Sequence, residues 1–136
     1  MKRRGQGKDE IMKRLRAAME SPHVRAIGHP TGRLINRRDP YEVDIDEIIA
    51  MAARTGTALE INAHYSRLDL SDINARAAQE AGCLLMINSD AHSASGLELG
   101  YGVATARRGW IRPETVLNTM SAAELSKLLS RPKRPA

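Results

Sequence analysis

A carboxylate and an imidazole two residues apart, Asp90 and His92, directly follow the apolar stretch from Cys83 to Asn88. Side chains two residues apart on an extended segment project to the same side, so this pair is able to share one metal ion or to bridge two. Carboxylate oxygen combined with imidazole nitrogen suits Mn²⁺, Zn²⁺ or Fe²⁺. An Asp-x-His triplet is common by chance, but its position after a buried strand favours metal binding.

His29 is the third candidate ligand. It lies in the tripeptide Gly28-His29-Pro30, at the end of the strand-like stretch from Val24 to Gly28. A lone histidine at a strand end is more often a hydrogen-bonded structural residue than a ligand. In combination with Asp90 and His92 at another strand end, however, the pattern favours a metal site formed by all three. No residue is assigned a catalytic role.

Two arginines, Arg33 and Arg37, follow His29 in a polar loop and are candidate phosphate-binding residues. A guanidinium group binds phosphate with two parallel hydrogen bonds, although loop arginines are also often simply solvated. His64, after the second predicted strand, is interpreted as facing solvent or substrate rather than as a ligand. Glu60 lies inside that strand, where a buried carboxylate must be paired. It is therefore either structural or a support for a ligand, and His23 is interpreted as structural.

Strand-like stretches alternate with helical ones along the chain. Asp44 is a predicted helix N-cap, with Glu47 three residues later as in a capping box. This alternation predicts an α/β fold of about three parallel βα units plus C-terminal helices, with functional residues at the C-terminal ends of the strands. Helices are predicted at Lys8 to Glu20, Asp44 to Arg54, Ser71 to Ala81, Leu97 to Arg107, Pro113 to Thr119 and Ala122 to Leu129, and strands at Val24 to Gly28, Thr57 to Ala63 and Cys83 to Asn88.

The composition is that of one globular domain: 136 residues, 15.0 kDa, 42% hydrophobic and 27% charged. The sequence contains neither a membrane-spanning apolar run nor a secretory signal. A single cysteine, Cys83, fits a reducing, cytoplasmic location.

The charge is unevenly distributed. The net charge is +5 and basic residues crowd the two ends, which are predicted as basic tails over residues 1–7 and 131–136. Such clusters favour phosphate-bearing partners such as DNA, but they are equally consistent with solvated tails. Aromatic residues are only 3% of the chain, which argues against base stacking on an aromatic platform.

Five motifs stand out along the chain: residues 28–34 (GHPTGRL), 39–44 (DPYEVD), 59–63 (LEINA) with 67–70 (RLDL), 87–92 (INSDAH) and 101–110 (YGVATARRGW). Taken in order, these motifs resemble the C-terminal part of the PHP (polymerase and histidinol phosphatase) domain of bacterial and archaeal family X DNA polymerases. The last motif points to the polymerase branch rather than to free-standing histidinol phosphatases.

The resemblance implies a segment of a distorted (βα)₇ barrel whose metal cluster hydrolyses phosphoesters. In these polymerases the domain is associated with Mn²⁺-dependent 3′→5′ exonuclease activity in DNA repair. His29, Asp90 and His92 correspond to family ligands, so the resemblance implies a site for Mn²⁺ or Zn²⁺. It also implies that residues 1–136 are the C-terminal portion of a PHP domain.

The sequence departs from the family pattern because the first ligand motif, His-x-His, and several further ligands are absent. We therefore expect an incomplete site and weak or no activity of the chain alone. A partial barrel is expected to expose two strand edges and an apolar inner face. These features predict oligomerisation or complementation by a separate N-terminal barrel segment. Two alternatives remain: a non-enzymatic DNA- or partner-binding remnant, and a PHP phosphatase acting on a small phosphomonoester.

Overall fold

A computed structural model describes residues 7–133. It confirms the α/β class and the alternation of strands and helices. The helices are α1 (Lys8–Glu20), α2 (Ile45–Thr55), α3 (Asp72–Glu80), α4 (Gly100–Arg108) and α5 (Ala122–Ser130), and the strands are β1 (Ala26–Ile27), β2 (Ala58–Asn62) and β3 (Leu85–Asn88).

The three strands form one parallel sheet in the order β1-β2-β3. Ile27 pairs with Leu59, and Asn62 pairs with Asn88, so β2 and β3 end at the same level. Strand order follows chain order, as in a singly wound barrel, whereas a doubly wound sheet reverses direction. The described strands do not close into a barrel, and the PHP barrel itself remains a prediction.

The two faces of the sheet differ in character. One face carries Leu59, Ile61, Leu85 and Ile87, which join the buried side chains of the helices in a single hydrophobic core. Register places Glu60, Asn62, Met86 and Asn88 on the opposite face. The expectation of an apolar inner face is therefore wrong, since this face carries hydrogen-bonded polar side chains around Glu60.

The predicted cap of α2 is confirmed. The Asp44 carboxylate accepts a hydrogen bond from the backbone N–H of Glu47 at 3.0 Å, and the helix ends at Gly56, whose φ is 70°. The Glu47 side chain does not complete a capping box. It accepts a hydrogen bond from Arg16 Nε at 2.6 Å instead, and this pair joins α1 to α2.

Three predicted boundaries are corrected. Strand β1 has two residues instead of five, and α4 begins at Gly100 instead of Leu97. The predicted helix from Pro113 to Thr119 is two 3₁₀ turns, Pro113–Thr115 and Leu117–Thr119. Val116 separates the turns because it is extended (φ −99°, ψ 119°) and forms a parallel bridge with Leu85.

The outer edge of β3 is covered, contrary to the expectation of two open edges. The Asn118 side chain pairs with the backbone of Ile87 as a neighbouring strand would. Its Oδ1 accepts from the N–H of Ile87 and its Nδ2 donates to the carbonyl of Ile87, both at 2.8 Å. With the bridge from Val116 to Leu85, this contact blocks pairing with another strand. The outer edge of β1 has no strand partner among residues 7–133.

The basic tails fall largely outside the described residues, at 1–6 and 134–136. Residues 131–133, however, are bound to the rest of the fold. Lys133 Nζ donates to the carbonyls of Met19 and Ser21, and Arg25 Nη2 donates to the carbonyl of Arg131 at 3.0 Å. No helix in the described part of the chain combines the length and apolarity needed to cross a membrane.

Candidate functional site

Three strand ends meet at one edge of the sheet and bring the predicted site residues to comparable positions. His29 lies two residues beyond β1, His64 two beyond β2, and Asp90 two beyond β3. Because the strands are parallel and adjacent, these positions share one edge. We call residues 28–30, 62–64 and 88–92 the strand-end rim.

Glu60 accepts hydrogen bonds from all three segments of the strand-end rim. Its Oε2 accepts from the backbone N–H of His29 at 2.6 Å and from Asn62 Nδ2 at 3.3 Å, while its Oε1 accepts from Asn88 Nδ2 at 2.9 Å. Glu60 is only 6% exposed. Its carboxylate therefore contacts the end of each strand, and the role that the sequence left open is a structural one that supports His29.

Gly28 permits this close contact with Glu60. A Cβ on Gly28 would lie 3.3 Å from Glu60 Oε2, which is tighter than an ordinary van der Waals contact. The next residue, His29, has φ 33°, and Asp90 has φ 57°. Positive φ is uncommon for residues other than glycine and clusters at functional sites. Two of the three predicted ligands therefore share this unusual backbone conformation.

Asp69 fixes the loop after β1 and was not singled out as a site residue from the sequence. It is fully buried and accepts from the backbone N–H groups of Thr31 and Gly32 at 3.0 Å and 2.9 Å. Burial raises the pKa of Asp69, although these hydrogen bonds and the charge of Arg33 act in the opposite direction. The sequence signal was present: an aspartate between two leucines in Arg67-Leu68-Asp69-Leu70 must be paired if it is buried.

Asp90 is held by an arginine from the loop after β2. Arg67 Nε donates to Asp90 Oδ2 at 3.1 Å, with the two side chains 19% and 27% exposed. Burial alone would raise the pKa of Asp90, but hydrogen bonds from Asn62 and Arg67 and the charge of Arg67 outweigh it and lower the pKa below the ordinary value. Asp90 is therefore a carboxylate at neutral pH.

The two predicted phosphate-binding arginines differ in their surroundings. Arg33 Nε donates to the carbonyl of Arg67 at 2.7 Å, and its Nη2 donates to the carbonyl of Leu68. Arg33 thus fixes the loop that carries Arg67, which in turn holds Asp90. Arg37 is exposed and its side chain makes no hydrogen bond or ion pair within residues 7–133.

The histidines at the strand-end rim differ as well. His92 is exposed, and its Nδ1 pairs with the carbonyl of Asp90 at 2.7 Å. A metal-ligating histidine commonly binds a carbonyl through one ring nitrogen, which leaves the other nitrogen for the metal. His64 Nδ1 instead pairs with Ser66 Oγ at 2.7 Å, and its ring stacks on Tyr65 with centroids 4.5 Å apart.

The strand-end rim fits a divalent metal in donor type but not in donor number. His29, Asp90 and His92 are suitable ligand types. Over residues 7–133, however, no three His, Cys, Asp or Glu side chains form a group that could hold a metal ion. The described residues therefore do not make a metal site by themselves, and the three-ligand assignment remains a prediction.

Comparison with known proteins finds relatives that match most of this chain. Over 122 residues, 89% of this chain, the sequence is 48% identical to "DNA polymerase/3′-5′ exonuclease PolX" of Bacillus subtilis. This chain is similar to a segment of a family X polymerase. The resemblance inferred from the five motifs is thereby confirmed.

Two further relatives are described as "Probable phosphatase". The protein from Shewanella sediminis is 33% identical over 121 residues, and that from Syntrophotalea carbinolica is 28% identical over 130 residues; each match covers 84% of this chain. The chain spans 21% of the length of the polymerase and about half, 47% and 49%, of the two phosphatases. No family model matches the chain. Together the relatives support a segment related to PHP-type phosphoesterases and polymerases.

Proposed function

We propose that this chain supplies part of a phosphoesterase centre that hydrolyses phosphodiester bonds at the 3′ ends of DNA with Mn²⁺ or Zn²⁺. The proposal is based on the strand-end rim, in which Glu60 and Arg67 fix the segments that contain His29, Asp90 and His92. The name of the Bacillus subtilis relative, which includes a 3′-5′ exonuclease, supports this class of reaction.

The remaining ligands would come from outside the described residues. Three predicted ligands are too few for a metal cluster, and no three of the described side chains converge on an ion. The outer edge of β1, which has no strand partner among the described residues, is where a neighbouring strand would add to the sheet. We therefore propose that an N-terminal barrel segment, or a second copy of the chain, completes the centre, and that the chain alone is weak or inactive.

The chain contributes charge and orientation to this centre. Asp90 remains ionised because hydrogen bonds from Asn62 and Arg67 lower its pKa against the effect of burial. His92 is oriented by the carbonyl of Asp90, and Arg37 presents an exposed guanidinium on the loop after β1. In this centre, Asp90 and His92 would bind cations, and Arg37 would contact a substrate phosphate.

The experiment is an assay of Mn²⁺-dependent nucleotide release from a labelled 3′ end. We expect slow release that is lost in the Asp90→Ala, His92→Ala double variant and retained in His23→Ala. His23 is the matched control because it is an exposed histidine before β1, at the opposite end of that strand from His29. Equal release by the double variant and the parent chain would remove Asp90 and His92 from the reaction.

A phosphatase acting on a small phosphomonoester is the second candidate. It is favoured by the two relatives described as probable phosphatases. Hydrolysis of p-nitrophenyl phosphate without release of nucleotides would support this candidate over the exonuclease. DNA binding without either hydrolysis would support the non-enzymatic alternative.

A further inference from the structure

Trp110 is the only tryptophan of the chain, and it is 76% exposed. Its backbone has φ 55°, a conformation that is an outlier for a bulky side chain. A glycine would adopt this conformation without strain and would expose no apolar ring. A large apolar ring held outward at a conformational cost suggests a contact surface.

The backbone around Trp110 is fixed by hydrogen bonds, although the residue itself is exposed. The N–H of Trp110 donates to the carbonyl of Arg107 at 3.1 Å, and the carbonyl of Trp110 accepts from Gln79 Nε2 at 3.2 Å. The Oε1 of Gln79 also accepts from the backbone N–H of Arg112 at 2.7 Å. Both flanks of the tryptophan are thereby anchored to α3, so the indole is presented from a defined turn.

Gly109 allows this turn to pack closely against α3. A Cβ at position 109 would lie 2.7 Å from the carbonyl oxygen of Asp72, a distance that real Cβ atoms essentially never show. The turn is therefore restricted to glycine at this position, directly before the exposed indole.

Three arginines lie within three residues of Trp110 in the sequence. Arg107 and Arg112 are exposed, and their side chains make no hydrogen bond or ion pair in the described part of the chain. Arg108 contacts Asp72 at 3.3 Å but is 80% exposed. The adjoining segments contribute the carboxylates of Asp72, Glu80 and Glu114 and the guanidinium of Arg76, so the surface keeps a net positive charge. We call Arg107, Arg108, Trp110 and Arg112 the Trp110 surface.

We propose that the Trp110 surface binds single-stranded nucleic acid, with a base stacked on the indole and backbone phosphates bound by the flanking guanidinium groups. Aromatic rings stack on any base, and arginines that track the backbone supply affinity that falls with salt. The low aromatic content argued against base stacking on an aromatic platform, whereas this surface needs only one ring. Positive charge favours a polyanion over an apolar protein partner. This binding does not depend on the strand-end rim.

The intrinsic fluorescence of the full chain tests the proposal directly, because all indole emission comes from Trp110. We expect oligothymidylate to quench this emission in a saturable manner that weakens as salt is raised. Inorganic polyphosphate, which has charge but no bases, should quench far less. Absence of quenching by oligothymidylate, or equal quenching by polyphosphate, would overturn base stacking.

Variants measured by anisotropy of labelled oligothymidylate give an independent test. We expect Trp110→Leu and Trp110→Gly to weaken binding by about tenfold or more. Tyr101→Leu is the matched control, since Tyr101 is a 61% exposed aromatic residue of α4. The urea midpoint of Trp110→Gly should be no lower than that of the parent chain, because glycine accepts positive φ.

Two outcomes would contradict the proposal: unchanged binding by Trp110→Leu, or an equal loss in Tyr101→Leu. A change in self-association of Trp110→Leu with unaltered oligothymidylate binding would assign the surface to a protein partner instead. Without divalent metal ions, the Asp90→Ala, His92→Ala variant should bind oligothymidylate as the parent chain does, so failure of the proposed phosphoesterase function and failure of this surface are distinguishable.

Discussion

Glu60 is the residue on which the geometry of the strand-end rim depends most directly. It accepts from the backbone of His29 and from the side chains of Asn62 and Asn88. Glu60→Ala should leave these donors unpaired in a buried site and lower the free energy of unfolding by about 3 kcal/mol. Urea denaturation measures this loss.

The matched control for this prediction is Glu80→Ala. Glu80 forms a surface ion pair with Arg76 and its side chain is 63% exposed, so we expect a loss of less than about 1 kcal/mol. Similar losses in the two variants would show that Glu60 is not the buried acceptor that organises the strand-end rim.

Asp69 gives the protein a specific pH dependence. Burial raises the pKa of Asp69 in the folded chain, so folding favours its protonated form. The resulting stabilisation is fully present below the pKa of an unfolded aspartate, about 3.9, and is lost as pH rises through the raised folded pKa. The Asp69→Asn variant should not lose stability in this way as pH rises.

The measurement is the free energy of unfolding of both proteins across that acidic range. The difference between the parent chain and Asp69→Asn isolates Asp69 from Asp90, whose lowered pKa has the opposite effect. A difference that does not change with pH would contradict a raised pKa for Asp69.

At the residue scale, the sequence indicates candidate ligands but does not identify the residues that position them. His29 and Asp90 are recognisable because an unusual residue type follows each apolar strand. Glu60 accepts a hydrogen bond from His29, which is 31 residues away in the chain. Asp69 accepts one from Thr31, which is 38 residues away. Local patterns indicate that a buried carboxylate must be paired, but not with which residue.

At the element scale, Asn118 protects the outer edge of β3. Asn118→Ala should remove both hydrogen bonds to Ile87 and lower the free energy of unfolding by about 1–3 kcal/mol. It should also increase self-association, because an unpaired strand edge recruits other strands. Urea denaturation and light scattering measure the two effects.

Asn74→Ala serves as the control for Asn118→Ala, because the Asn74 side chain makes no hydrogen bond within residues 7–133. Equal stability and equal light scattering of the two variants would contradict the edge-protection role of Asn118.

Helices and strands were predictable where local rules dominate. The cap by Asp44 and the stop at Gly56 depend on neighbouring residues alone, and both are confirmed. The segment from Pro113 to Thr119 was predicted as a helix, but Val116 is extended because it pairs with Leu85 of β3. That contact spans 31 residues and overrides the helical propensity of the segment.

At the scale of the whole molecule, parallel strands in chain order place three loops at one edge, and no three of their ligand-type side chains form a metal-binding group by themselves. The chain is similar to 21% of the length of a polymerase and to about half of the length of two phosphatases. We propose that these three loops share one cation-binding edge of the sheet.

Paramagnetic broadening by Mn²⁺ in the amide NMR spectrum of the chain tests this claim most directly, because it detects weak binding as well as tight binding. We expect the resonances of residues 28–30, 62–64 and 88–92 to broaden together at the lowest Mn²⁺ concentrations. We also expect the Asp90→Ala, His92→Ala double variant to abolish this pattern. Broadening that begins at exposed carboxylates such as Glu42 and Glu80 and spares the strand-end rim would contradict it.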